Sequence, residues 1–395
     1  MYSQSDLEDA VAGGAVTAEQ AASLRNFVAA RNGTPSADEE HVRMQLGFND
    51  LYVYISSILL VVGLAWVGSK IEIGLMPNPL PALLIALAAW GLAEYFSRRK
   101  HLALPGIAFA AAFVLAVFAT ISLTGISAVG ASNAMDSVNY INALSALIAA
   151  GAAFLYWKRF DEPIAVSLAV GMAAMAIMFL LGATISPDPG SDLAEIVLLI
   201  LGLIVFVYAM FWDGRDTRRV TKRADTGFWL HWTSAWMVII ALAALLKLHE
   251  GAVSVVISIL TIVLFLVFTL VALAVGRRVW VLAAAYPLGV GIFWLIQGPP
   301  PEMDDFDTMG GYGGGASEYG GSYGGGYGGG SGSSYGSSMQ DNVMLTVLIV
   351  GLLLVLIGMF WSQIRRMIVG MLPQGLRARV PGTDQVDAAQ ARTFA

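Results

Sequence analysis

Ten stretches of the chain are nearly free of charge, and each is long enough to cross about 30 Å of hydrocarbon as a helix. They fall near residues 51–68, 80–97, 104–125, 139–157, 163–185, 192–212, 228–247, 252–275, 279–297 and 342–361. Backbone amides in lipid have no water to bond, so each stretch is expected to be helical. The short segments between them carry an uneven share of Lys and Arg. Arg25, Arg31 and Arg43 precede the first span, and Arg98, Arg99 and Lys100 follow the second. Lys158 and Arg159 follow the fourth, Arg215, Arg218, Arg219, Lys222 and Arg223 the sixth, and Arg277 and Arg278 the eighth. Arg365, Arg366, Arg377, Arg379 and Arg392 come after the last. These alternate segments hold 20 of the 22 basic residues, leaving Lys70 and Lys247 for the opposite side. The positive-inside bias then puts both termini in the cytoplasm. It also checks the span count, because one helix more or fewer would scramble the alternation.

Outside the spans the pattern changes. Residues 1–48 read as a helical hairpin and linker. Ser5-x-x-Glu8 and Thr17-x-x-Gln20 are capping boxes, in which two side chains satisfy orphan amides at a helix start. Gly13-Gly14 ends the first helix, and Ala21, Leu24, Phe27 and Val28 share a face of the second. Asn32 to Glu40 is the linker. Residues 49–297 form a nine-span region. Residues 298–341 are an outer-face loop, with Pro299-Pro300-Pro301, an acidic patch of Glu302, Asp304, Asp305 and Asp307, and a Gly/Ser/Tyr tract over 310–338. That tract has too little apolar surface to offset its ordering entropy, so it is expected to be flexible. Residues 342–372 are read as the tenth span plus an interfacial amphipathic helix bearing Ile364, Met367, Ile368, Met371 and Leu372 beside Arg365 and Arg366. A tail over 373–395 completes the chain.

Composition narrows the chemistry. The chain is 57% hydrophobic and 13% charged, against about 25% charged in a soluble domain. No basic domain suggests nucleic acid. With no Cys, disulfides, thiolate nucleophiles and Cys-ligated metals are excluded. The acidic opening lacks the apolar core of a cleavable signal peptide, so the first span is expected to direct insertion. Neither a phosphate-binding Gly-rich loop nor a His-Glu-x-x-His is found. Gly-x-Ser-x-Gly occurs at 320–324 and 332–336, where the composition of the tract produces it by chance. No catalytic, cofactor-binding or metal-ligating set is expected.

Polar groups in a membrane are the usual pointers to function. Glu94 stands four residues before Arg98, the favourable order for a helix ion pair. Asp192 and Glu195 fall in the first turn of span six, where the helix dipole favours acids. Ser254, Ser258 and Thr261 form a polar stripe in span eight, suited either to a solute path or to bonding between helices. Pro287, with Gly289 and Gly291, should kink span nine. Ala165, Ala169 and Ala173 make a small-residue face in span five. Glu94, Glu195, Ser254, Ser258, Thr261 and Pro287 are thus the candidates for a transport path, with packing the competing reading of each. His231 lies between two Trp residues at a boundary, and Lys247, His249 and Glu250 share a short outer loop. Trp157, Trp212, Trp229, Trp232, Trp280 and Trp361 sit at the basic boundaries, where indole rings anchor at headgroup depth.

The segment Asp6 to Leu24, with Gly13-Gly14-Ala15-Val16-Thr17-Ala18-Glu19-Gln20, resembles the Gly-x-Ile-Thr-Glu-Glu-Gln hairpin of the DUF2157 family of bacterial predicted membrane proteins of unknown function. The junction Gly47-Phe48-Asn49-Asp50-Leu51 and the Leu372-Pro373 tail fit the same pattern, while the Gly/Tyr tract departs from it. The resemblance covers about 60 residues specifically; it implies a bacterial inner-membrane protein and supplies no activity. The expectation is an all-α polytopic bundle in the lipid bilayer. Its leading function is a non-enzymatic scaffold or sensor whose hairpin binds a cytoplasmic protein partner, and the alternative is a transporter of a small or apolar solute.

Overall fold

A helix satisfies its own backbone, and the computed structural model resolves the apolar stretches into ten helices. It describes residues 7, 10–21, 23–24, 48–100, 102–185, 192–216, 222–249, 251, 253–298 and 332–371. The helices are α1 (Phe48–Lys70), α2 (Leu80–Phe96), α3 (Ala103–Val129), α4 (Ala131–Phe160), α5 (Pro163–Thr184), α6 (Leu193–Gly214), α7 (Lys222–Leu245), α8 (Val255–Val275), α9 (Val279–Gln297) and α10 (Gly332–Met371). Nine are long and apolar enough to cross a membrane. At 17 residues α2 is shorter, at the lower limit for a span. No strand occurs among the described residues, and the fold is an all-α polytopic bundle.

The Ser5-x-x-Glu8 box, the 32–40 linker, the Pro/acidic segment, the tract through residue 331 and the tail from Leu372 lie outside the described residues. The second capping box is formed: Thr17 N–H donates to Gln20 Oε1 at 2.9 Å, and Gln20 N–H donates to Thr17 Oγ1 at 3.2 Å. The helix before it ends at Gly14 with φ 73°. There Ala15 N–H bonds Ala10 O and Gly14 N–H bonds Val11 O, the paired bonds that close a helix on a left-handed residue.

Two boundaries differ from expectation. Helices α3 and α4 run past their predicted ends and meet at Gly130. The expected loop end at 332–341, the tenth span and the amphipathic segment are all one helix, α10. Extending an existing helix costs far less than starting one, and after Gly332 no proline interrupts the chain before Pro373.

The odd-numbered helices make a row: α1 packs on α3, α3 on α5, α5 on α7, and α7 on α9. Even helices flank this spine, with α2 against α1 and α3, α4 against α3 and α5, and α6 against α5 and α7. The pattern then shifts, because α8 packs on α9 and α10. Burial follows the row: 44% of the α7 and α9 spans is buried, against 17% of α6 and 6% of α10. Small residues make the close contacts. The buried positions of α2 are Ala82, Ala86, Ala89 and Ala93, one face of a helix. In α5, Ala165 and Ser167 are buried while Ala169 and Ala173 are half-buried. Ser167 Oγ donates to Trp229 O at 2.8 Å, tying α5 to α7.

Contacts also sort the helix ends. Glu94 and Arg159, Asp161 and Lys222, and Asp213 and Arg277 meet at one end. Ser127 with Pro77, Asp192 with Lys247, and Gln297 with Asn342 meet at the other. The first set carries the basic segments, as expected of ten alternating helices.

Pro287 is buried inside α9, and one turn later Gly291 lies against Thr261 and Ser258 of α8. A Cβ at Gly291 would collide with Thr261 and stand 3.0 Å from Ser258 O, whereas at Gly289 it would meet nothing within 4 Å. Gly291→Ala is therefore expected to destabilise the protein by about 1–3 kcal/mol through overpacking. Gly289→Ala should be nearly silent, and equal thermal shifts for the two would contradict this account of the seam.

Candidate functional site

Charge is costly to bury, so a buried ionisable group needs partners. Near the basic end, α6, α7 and α9 enclose such a set. Asp213 is 0% exposed, His231 0% and Arg277 2%. The Arg277 guanidinium embraces the Asp213 carboxylate with two hydrogen bonds, Nε to Oδ2 at 3.0 Å and the other from Nη2 to Oδ1. Arg277 Nη2 also donates to Ala224 O at 2.9 Å. Asp213 Oδ2 lies 3.1 Å from His231 Nε2, and Trp280 Nε1 donates to His231 Nδ1 at 3.3 Å.

The order of these bonds fixes the proton on the imidazole. An indole N–H only donates, so His231 Nδ1 accepts and Nε2 carries the hydrogen that faces Asp213. His231 is then neutral, and the carboxylate is neutralised by Arg277. Phe206 stands edge-on to both His231 and Trp280, with Phe268 stacked on Trp280. Gly227 makes room, since a Cβ there would collide with Asp213 Oδ1. The site is buried, and its hydrogen bonds tie α6, α7 and the start of α9 together. Its chemistry is that of a lock between helices.

A second buried cation lies close by. Arg365 of α10 is 1% exposed and donates from Nε to Leu273 O at 3.3 Å. A Cβ at Gly276, where α8 ends with φ 72°, would press on its guanidinium. The last carbonyls of a helix favour a cation, so Arg365 caps α8 from inside the bundle. The sequence sets Arg365 beside an interfacial amphipathic face, whereas its side chain is buried in the bundle.

The sequence candidates are dispersed. Glu94 bonds Arg159 Nε at 2.8 Å as well as Arg98 Nη1 at 3.3 Å, joining α2 to α4. Glu195 is half-buried in the first turn of α6, and its Oε2 has no hydrogen-bond partner among the described residues. Lys247 pairs with Asp192 at 3.0 Å. Ser254 is an exposed N-cap that accepts from Ile257 N–H, apart from the stripe below it. Ser258 and Thr261 are 0% exposed and face Gly291, near Pro287. Of the six tryptophans at the basic boundaries, Trp157, Trp212, Trp229 and Trp232 are half-buried. Trp280 and Trp361 are 2% and 3% exposed, so their rings pack against protein and cannot anchor at headgroups.

Among the described residues no group of His, Asp and Glu converges as a metal-ligand set. An apolar cavity of about 410 Å³ opens at the opposite end, bordered by His249, Phe293, Trp294 and Thr346. No protein-family model, curated protein or solved structure matches this chain.

Removing one member of a buried pair leaves the other charge uncompensated, at a cost of about 3–5 kcal/mol. Asp213→Asn and Arg277→Gln should each lose that much in thermal or chaotrope unfolding. The double variant, with no charge left to bury, should recover part of the loss. Additive losses would show that the two residues act separately.

Proposed function

We propose that the chain is a non-catalytic, multi-pass protein of the bacterial inner membrane that works as a scaffold or sensor, with both termini in the cytoplasm. One observation carries this reading: the most deeply buried charged groups, Asp213, Arg277 and Arg365, bind helices to one another. The Asp213–Arg277 pair joins α6 to α9, and Arg365 joins α10 to α8. In this reading the N-terminal hairpin, opened by the Thr17–Gln20 box, docks a cytoplasmic protein. The likeness of residues 6–24 to the DUF2157 hairpin supports the bacterial setting and brings no reaction with it.

A transporter of a small apolar solute is the second reading, favoured by the 410 Å³ cavity between α9 and α10. The absence of Cys makes the two separable. Single Cys substitutions at Ser57, Ser145, Ser167 and Ser258, all buried, are tested with a charged thiol reagent. Only a water-exposed thiolate reacts. Silence at all four, with Met76→Cys labelled as the exposed control, is the outcome expected of a scaffold or sensor. Labelling inside the bundle would mean an aqueous path and transport. If deleting residues 1–46 left the set of co-purifying proteins unchanged, the hairpin would have no docking role.

A further inference from the structure

The basic ends of the helices are joined by rungs that repeat along the spine. In each, a residue ending an even helix meets a residue opening the odd helix after next. Asp161, which caps α4, pairs with Lys222 at the start of α7 at 2.9 Å. Asp213 of α6 pairs with Arg277 before α9. Ser97, which caps α2, comes together with Glu162, the residue before α5, beside Gly106 of α3. Two rungs set an acid against a base; this one sets a carboxyl against a hydroxyl.

The corner around Glu162 is built for something small. A Cβ at Gly106 would overlap Glu162 Oε1 and lie 3.0 Å from Ser97 Oγ, so both groups fill the notch the glycine leaves. Ser97 is 5% exposed and Tyr156 of α4 is 0%; neither hydroxyl makes a hydrogen bond of good geometry among the described residues, though Ser97 stands close enough to act on both Glu162 and Tyr156. Tyr156 and Asp161 face Glu162 from α4 and its cap, and Lys222 faces it from α7. Asp161 and Lys222 already pair with each other, and Glu94 holds both Arg98 and Arg159. From α2 comes Ser97, and from α3 only Gly106. Among the described residues no cation lies within ion-pair distance of Glu162.

We propose that this corner is a proton-binding site in which Glu162 takes a proton from water and the neutral carboxyl closes the notch with Ser97 and Tyr156. The added hydrogen lets the carboxyl donate to one hydroxyl and accept from the other. That links α2, α4 and α5 by hydrogen bonds in place of an ion pair. Releasing the proton to water leaves a carboxylate that draws toward Lys222 and loosens the corner. The bonding capacities agree: among the described residues two hydroxyls have hydrogen-bonding capacity to spare, and one carboxyl has no base in ion-pair contact. Burial pushes the Glu162 carboxyl up to about 7, against the pull of Lys222. Proton uptake then falls in the range a cell's interior traverses. The site stands independently of the scaffold or sensor reading, and its test measures proton uptake directly.

The sign of the pH dependence follows from linkage. The folded state holds the proton more tightly than the unfolded chain, whose carboxyl keeps the ordinary value of 4.5. The site's contribution to stability is complete below that value, declines as pH rises through about 7, and is absent above. Thermal unfolding of the full chain in lipid nanodiscs is followed from about pH 5 to about pH 8, together with pH-difference infrared spectra of the protonated carboxyl band. Wild type should lose stability across this window and lose a carboxyl band with it. Glu162→Gln, which mimics the neutral form, should flatten the stability profile and remove the band. A Glu162→Gln protein that keeps the wild-type slope and band would overturn the proposal. Two variants keep the carboxyl in case that one fails to fold. Ser97→Ala removes a hydroxyl on which the carboxyl closes and should move the infrared midpoint. Gly106→Ala fills the notch and should push the group toward water, moving the midpoint down. A midpoint unmoved by both would equally overturn the assignment.

Discussion

Inside a bilayer, helices gain nothing by hiding apolar surface from lipid, so this bundle depends on how closely its backbones approach. Residues with little or no side chain decide where approach is possible. Alanine dominates the buried faces, from the Ala82–Ala93 stripe of α2 to Ala283 and Ala284 of α9. Glycines mark several of the tightest crossings: Gly68 on Pro81, Gly125 on Ile141, Gly202 on Val238 and Gly291 on Thr261. At the Gly202 crossing, Ser234 of α7 donates to the carbonyl of Gly202 itself at 2.9 Å. Dispersion and a few hydrogen bonds do the work that water does for a soluble core.

Charge supplies what packing alone leaves undetermined. Helices held by small residues could slide or rotate against one another, whereas a guanidinium locked to a carboxylate tolerates little of either. Asp213, Arg277 and His231 therefore read as a fixed point in the second half of the spine. Arg365 extends the same end of the bundle to α10. In the first half the ion pairs among the described residues, Glu94 with Arg159 and Asp161 with Lys222, lie exposed, and the buried rung joins Ser97 and Glu162. One half of the molecule is pinned by a buried ion pair, and the buried corner of the other by a contact that, in our proposal, depends on a proton.

The fold was legible because its signals are local or one-dimensional. Apolar runs and the alternation of Lys and Arg give the helices and their sequence of directions without any knowledge of contacts. The Thr17–Gln20 box was equally readable, since both partners lie within a single turn. The site was not. Asp213 lies 64 residues from Arg277 and 18 from His231, and each on its own resembles an ordinary boundary residue. Counting Arg277 and Arg365 as basic end groups was right for the charge alternation and silent about their burial. Glu94 shows the same limit within one residue: its pairing with Arg98 follows from spacing, but the tie to Arg159, 65 residues away, does not. Trp280 and Trp361 lie at boundaries in the sequence and in the protein interior in space, a distinction that hydropathy cannot draw.

The spine also bears on how the chain is made. A membrane protein leaves the ribosome from its N-terminus, and from α2 through α7 each new helix finds at least one of its neighbours already inserted. Assembly up to that point can keep pace with synthesis, because every contact it needs is with the two or three preceding helices. Helix α8 breaks the rule, for its partners α9 and α10 have yet to be translated. It must wait in lipid, and its span, at a mean hydropathy of 3.0, is matched among the described helices only by that of α10. The last helix then closes the structure from outside, carrying Arg365 to the open carbonyls at the end of α8. Biogenesis of this protein has a single point of suspense, and it falls between the seventh helix and the ninth.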